Sequence, residues 1–268
     1  MIHKGDCLEV LAGMADDSVD HVITDPPYEA ECHDGGGMVR GNSRWYRDEP
    51  DPTVLTKTPP DFACMSPSLR AAVAAEVCRV SRGWVLVFCQ DQGIHPWMTE
   101  LDQHAKFRRV CIWHKTNPMP KFLGDGPAQG HEPFLAYWSG KGHSKWNAGG
   151  RSGVFAHALA RRERGVRNHP TEKPLPLLRE LILCFTLPGE TILDPFAGSG
   201  STLVAAAETG RSGIGVEISP KYAQRAEDRL SCARAIPSYE LSRVTAVNPR
   251  AFGVAGTAVS QGMLDGIE

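Results

Sequence analysis

Short apolar runs alternate with segments of helical period along most of this chain. That alternation constrains the fold more than any other feature. Residues 20–24 (DHVIT), 83–89 (GWVLVFC), 107–114, 132–138, 190–194 and 212–218 read as strands. Residues 66–82 open on a Ser-Pro start signal and place Leu69, Val73, Val77 and Val80 at helical spacing. Residues 174–185, 201–209 and 219–235 read as further helices. Strands that alternate with helices predict an α/β fold built on a parallel sheet. Ligands of such sheets bind at the carboxyl ends of the strands. Two unusual stretches, 25–28 (DPPY) and 194–202 (DPFAGSGST), each follow directly on a strand. Both are therefore expected at the same edge of the sheet, although they lie far apart in the chain.

The glycines of 194–202 let the backbone turn tightly and approach a ligand, and the helix behind them offers unpaired N–H groups. A dinucleotide fingerprint would need a third glycine where Leu203 stands, and a P-loop would need a lysine that is absent from Gly200-Ser201-Thr202. Phosphate is thus disfavoured, and Asp194 suits a ligand that carries positive charge. Glu217 ends the next strand, about 20 positions on, where a carboxylate can accept hydrogen bonds from ribose hydroxyls. In the first stretch, Pro26 and Pro27 stiffen the loop and leave its carbonyls as acceptors. The Asp25 carboxylate, a proline carbonyl and the Tyr28 ring form a set suited to an amino group on a flat heterocycle.

These residues, with several others in a consistent order, resemble the amino-methyltransferases of DNA. Residues 5–11 (GDCLEVL) resemble that family's adenine-contacting segment, 113–120 (WHKTNPMP) its W-x-K-x-N-x-x-P stretch, and 169–174 its H-P-T-E-K-P stretch. The catalytic segment precedes the cofactor loop, which is the circularly permuted order of the β class. The resemblance spans roughly residues 1–235 and implies a Rossmann-like S-adenosylmethionine-dependent methyltransferase fold. Its sheet would have seven strands, mostly parallel, with one antiparallel.

The resemblance also implies roles for residues. Asp25, Pro26, Pro27 and Tyr28 would be catalytic. Asp194, Phe196, Gly198, Ser199, Gly200 and Thr202 would line the methionine end of S-adenosylmethionine, whose product is S-adenosylhomocysteine. Glu217 and Ile218 would hold the ribose end, Asp6 and Cys7 the adenine, and Thr171 and Lys173 the methionine carboxylate. The implied reaction is site-specific methylation of an exocyclic amino nitrogen of a flipped base, with N6 of adenine favoured by the Asp at the first motif position. N4 of cytosine is the nearest alternative. RNA or a protein glutamine are more distant ones, as is a cofactor-binding regulator without activity.

Charge locates the expected nucleic-acid contact. The chain carries 29 Lys and Arg against 31 Asp and Glu, a net of −2, which taken whole does not mark a nucleic-acid binder. Yet residues 137–173 hold eight basic residues against two acidic ones, a net of +6 that leaves −8 elsewhere. Lys141, Lys145, Arg151, Arg161, Arg162 and Arg164 lie there, largely inside a 139–167 insertion read as a target-recognition segment. The 29–61 loop adds Arg44, Trp45, Tyr46 and Arg47, and the third motif adds Lys115 and Asn117. Double-stranded DNA is the expected partner. A homodimer and a cognate restriction endonuclease are compatible with the family.

The eight cysteines include no C-x-x-C pair, and Cys89 and Cys184 sit inside apolar runs. They read as free buried thiols of a reducing compartment. Cys32-His33 has no second pair at ligand spacing, so no metal is expected. The chain opens without an apolar signal segment, and no run approaches the roughly 18 apolar residues of a membrane span. The expectation is a cytoplasmic protein with no membrane contact. Residues 236–268 lose periodicity and read as a tail, weakly structured or packed on the 1–235 domain.

Overall fold

Each strand expected from the sequence forms, and two more join them. The computed structural model describes residues 1–27, 65–118, 120, 126–159 and 172–237. The strands are β1 (Ile2–Lys4), β2 (His21–Thr24), β3 (Trp84–Phe88), β4 (Lys106–Lys115), β5 (His131–Trp138), β6 (Val154–His157), β7 (Thr191–Asp194) and β8 (Ser212–Glu217). They make one sheet in the order β1-β8-β7-β2-β3-β5-β4-β6. β5 runs antiparallel to both of its neighbours, and all other pairings are parallel.

The sheet therefore has eight strands among the described residues, not seven. Within the 139–167 insertion, β6 is four residues long and buries only Phe155, so it carries no apolar run that periodicity can detect. It pairs with β4 from Ile112↔Val154 to Lys115↔His157. The first part of the insertion is bound into the sheet and its packing. Trp146 meets the Phe185 ring edge-on at 4.8 Å. Asn147 donates to the carbonyls of Leu183 and Thr186 at 3.1 and 2.7 Å.

Among the described residues six α-helices flank the sheet: α1 (Cys7–Ala12), α2 (Pro67–Val80), α3 (Ile94–Leu101), α4 (Leu175–Phe185), α5 (Ser201–Glu208) and α6 (Pro220–Cys232). Local chemistry sets their starts. The Asp6 carboxylate caps α1 by accepting from the N–H groups of Leu8 and Glu9. Ser66 caps α2 through the Leu69 N–H, and Pro67 occupies the first turn.

The central strands bury both faces, and alternate residues separate two cores. Ile23, Trp84, Leu86, Phe88, Phe134 and Ala136 pack beneath α4 and α5. Val22, Val85, Val87, Leu135 and Tyr137 pack with α1, α2 and α3. Five described cysteines lie buried and form no disulfide. Burial pushes the thiols of Cys78, Cys111 and Cys184 up to about 12 and that of Cys7 to about 11, which makes them packing groups rather than nucleophiles. Cys7 thus belongs to the core. No helix of the described residues is long and apolar enough to cross a membrane.

Candidate active site

The chain order brings the two acidic loops to the middle of the sheet. β7 lies beside β2 in parallel, so Asp194 and Asp25 leave adjacent strands at one edge. Thr24, the last residue of β2, donates its hydroxyl to Asp194 Oδ1 at 2.8 Å. The Phe196 N–H donates to the same oxygen at 3.1 Å. Asp194 is 3% exposed. Burial pushes its carboxyl up to about 6, against the opposing pull of hydrogen bonds from Thr202, Thr24 and Phe196. Such a carboxylate gains most from a cationic ligand.

The glycine loop closes around Glu217. The N–H of Gly198 donates to Glu217 Oε2 and that of Ser219 to Oε1, each at 2.8 Å. Each oxygen retains acceptor capacity. Burial raises the Glu217 pKa and the two backbone bonds oppose it. Gly198 has φ +51° and Gly200 φ +81°, in the left-handed region. A Cβ on Gly200 would stand 2.8 Å from the Ala226 Cβ of α6, whereas one on Gly198 would meet nothing within 4 Å. Gly200 therefore lets α6 approach, and Gly198 leaves open space above the loop. Beside Glu217, Ile218 is 60% exposed, an apolar surface at the mouth of the loop.

Arg229 of α6 locks the loop from below. One nitrogen donates to the Ser199 carbonyl and hydroxyl, both at 2.8 Å, and to the Ser201 hydroxyl at 3.1 Å. Its other nitrogen pairs with Glu172 at 2.6 Å. Ser199 thus turns its hydroxyl toward Arg229. The polar pattern of α6 gave no hint of this role for Arg229.

On the other side of Asp25 lies a charge chain that sequence reasoning missed. Lys173 Nζ is 2.7 Å from Asp25 Oδ2 and 2.6 Å from Glu132 Oε1. Lys115 Nζ is 3.1 Å from Glu132 Oε2. Lys173 also lies 4.9 Å above the Phe88 ring, and Lys115 5.0 Å above that of Trp113. Lys173, expected beside a methionine carboxylate, has two protein carboxylates at ion-pair distance. Lys115, expected on DNA, has a side chain only 12% exposed and faces Glu132. Glu132 opens the apolar run read as a strand over 132–138, and nothing in the sequence singles it out.

The remaining expected contacts divide. Asn117 Oδ1 accepts from the Leu159 N–H at 2.6 Å and ties its loop to the insertion just past β6. Arg151 pairs with Glu180 at 2.6 Å and lies 5.2 Å above the Phe155 ring, an internal role. Lys141 and Lys145 are exposed. Pro26 and Pro27 follow Asp25 at the edge. Tyr28, Arg44, Trp45, Tyr46, Arg47, Arg161, Arg162, Arg164 and Thr171 lie outside the described residues, as do 28–64 and 238–268 as a whole.

Comparison with known proteins settles the family. The DNA methylase family model matches residues 71–228. The chain belongs to the N6/N4 DNA methylase family. YubD of Escherichia coli (strain K12) is 30% identical over 234 residues, 86% of this chain and 90% of that protein. The type II methyltransferase M.HinfI of Haemophilus influenzae is 31% identical over 252 residues, 85% of this chain and 67% of that one. Among solved structures, the PvuII DNA methyltransferase (cytosine-N4-specific) superposes with a TM-score of 0.63 at 14% identity, covering 91% of this chain and 90% of that one. M1.HpyAVI in complex with SAM gives 0.61 at 23% identity, covering 86% and 98%. The fold of this DNA methylase is the Rossmann-like fold of S-adenosylmethionine-dependent methyltransferases.

Proposed function

We propose that this DNA methylase transfers a methyl group from S-adenosylmethionine to N6 of an adenine flipped out of double-stranded DNA. The observation that carries the reading is the pairing of the two acidic loops on adjacent central strands, joined by the Thr24–Asp194 hydrogen bond of 2.8 Å. It supports a site for a cationic cofactor directly beside an acceptor loop for an amino group.

The residues fit that cofactor. Asp194 supplies a buried carboxylate to a ligand with sulfonium and ammonium charge, and Glu217 supplies one to its ribose hydroxyls. Asp6 spends one oxygen on capping α1 and keeps the other for an amino group. The space above Gly198 and the exposed Ile218 accommodate a flat ring. S-adenosylmethionine, when bound, supplies a methyl group already activated on a positively charged sulfur.

The chain's task is then to prepare the nucleophile. An aromatic amino nitrogen has its lone pair delocalised into its ring. Hydrogen bonds from its N–H groups to Asp25 and to the Pro26 carbonyl favour a pyramidal nitrogen with the lone pair directed outward. Lys173 fixes one Asp25 oxygen at 2.7 Å. The Asp25 carboxylate then takes the proton that the nitrogen loses. Positioning and charge complementarity supply most of the rate, with proton transfer contributing about 10²–10⁴-fold. Flipping costs a few kcal/mol, and stacking on Tyr28 returns about 1–3 kcal/mol. The exposed Lys141 and Lys145 are assigned to the DNA backbone.

Adenine is preferred to cytosine because Asp, rather than Ser, opens the acceptor motif. The test is Asp25→Ala. Methylation of DNA is lost while S-adenosylmethionine binding, followed by titration calorimetry, is nearly unchanged. Undiminished turnover would remove Asp25 from the mechanism.

A further inference from the structure

Glu132 sits where no recognised motif of this chain places an acid. It is 5% exposed at the head of β5, between two lysines from separate segments. A carboxylate buried this deeply is retained at a cost unless it is paired. Here both oxygens are engaged, Oε1 by Lys173 at 2.6 Å and Oε2 by Lys115 at 3.1 Å. Lys173 in turn reaches Asp25 Oδ2 at 2.7 Å. The four groups form a chain that alternates in sign and ends on the acceptor carboxylate.

We propose that Glu132 is a positioning residue for methyl transfer: by sharing the Lys173 ammonium with Asp25, it lets Asp25 be anchored through one oxygen and still accept a proton. This rests on the reading of Asp25 as the acceptor of the amino group. Lys173 devoted to Asp25 alone would hold that carboxylate ionised and make it a poor base. Without Lys173, burial would drive the carboxylate toward its neutral form, which cannot accept. Glu132 sets the point between these extremes.

The charges around Asp25 agree with that division. Lys173 faces it from the segment before α4, Glu132 from β5, Lys115 from the end of β4 and Asp194 from the end of β7. Burial is the largest influence on Asp25 and, together with Glu132, raises its pKa against the opposing pull of Lys173 and Lys115. Burial also pushes Glu132 upward, but its two lysines outweigh that and hold it below its ordinary range. Of the two carboxylates that share Lys173, Glu132 is held below its ordinary range and Asp25 above its own.

The test uses the full chain carrying ¹³C-carboxyl aspartate, with Asp25→Asn to assign the Asp25 signal. The Asp25 titration moves to lower pH in Glu132→Gln and to higher pH in Lys173→Met. The acid limb of the kcat profile moves in the same two directions, and kcat of Glu132→Gln falls about tenfold or more with little change in KM for DNA. If Glu132→Gln does not fold, Lys115→Met takes its place and moves the titration upward, by less than Lys173→Met. An Asp25 titration that stays put, or moves the same way in both variants, overturns the proposal. A wild-type chain that methylates no DNA would instead overturn the reading of Asp25, and the carboxyl titration would still decide whether Glu132 tunes Asp25 through Lys173.

Discussion

Asp194 should make the unliganded protein less stable as pH rises. Its carboxyl has a pKa of about 6 in the folded chain against an ordinary 3.8. The folded state therefore binds this proton more tightly than the unfolded state does. The resulting stabilisation is fully present below the unfolded pKa and is lost as pH rises through about 6. Integrated from pH 5 to pH 7.5, that difference amounts to ~1.4 kcal/mol. Asp194→Asn cannot titrate and lacks this term. Its absolute stability also reflects the altered hydrogen bonds to Thr24 and Phe196, so the comparison rests on the pH slope alone. Urea unfolding followed by circular dichroism then reads the difference. With an m-value of roughly 3 kcal/mol/M, the midpoint of the parent falls by about half a molar relative to the Asn variant between those pH values. Parallel midpoints at every pH would show that Asp194 is not held near neutrality by burial. A gap that moved the other way would refute the sign of the argument.

The two glycines of the loop should fail in different ways. Gly200→Ala drives a Cβ to 2.8 Å from Ala226 at a positive φ, and urea unfolding should show a loss of about 2–4 kcal/mol. Gly198→Ala meets no atom within 4 Å, so it should cost only the strain of its φ, about 1 kcal/mol, yet weaken S-adenosylmethionine binding more than tenfold in a calorimetric titration. For Tyr28, replacement by Ala should lower turnover more than replacement by Phe, by about 5–150-fold, because the ring rather than the hydroxyl holds the base. Equal losses would assign the role to the hydroxyl.

Much of this architecture was legible because buried parallel strands are continuous apolar runs and their edge is marked by acid-proline and acid-glycine loops. The convergence of 25–28 and 194–202 followed from strand direction alone, and the structure places their first residues at the ends of neighbouring strands. The misses share a cause. β6 has one buried residue and gains its place by pairing with β4, a long-range contact that leaves no local period. The basic count of 137–173 treated every cation as solvated. Arg151 and Lys173 are instead neutralised by Glu180, Asp25 and Glu132, which lie inside other elements or outside that span. Charge along the chain locates cations, but only the fold decides which of them reach solvent. Glu132 and Arg229 were invisible for the same reason, since each acts through partners brought to it by the sheet.

The central claim is methyl transfer to an amino nitrogen of DNA, and one measurement addresses it directly. Purified protein is incubated with double-stranded DNA and S-adenosylmethionine carrying a deuterated methyl group. The DNA is digested to nucleosides and analysed by mass spectrometry. The account predicts label on N6-methyldeoxyadenosine, absent when Asp25→Ala replaces the wild type. Label on N4-methyldeoxycytidine would keep the chemistry and reverse the choice of base. Absence of label from every exocyclic amino nitrogen, under conditions where the protein binds S-adenosylmethionine, would contradict the account.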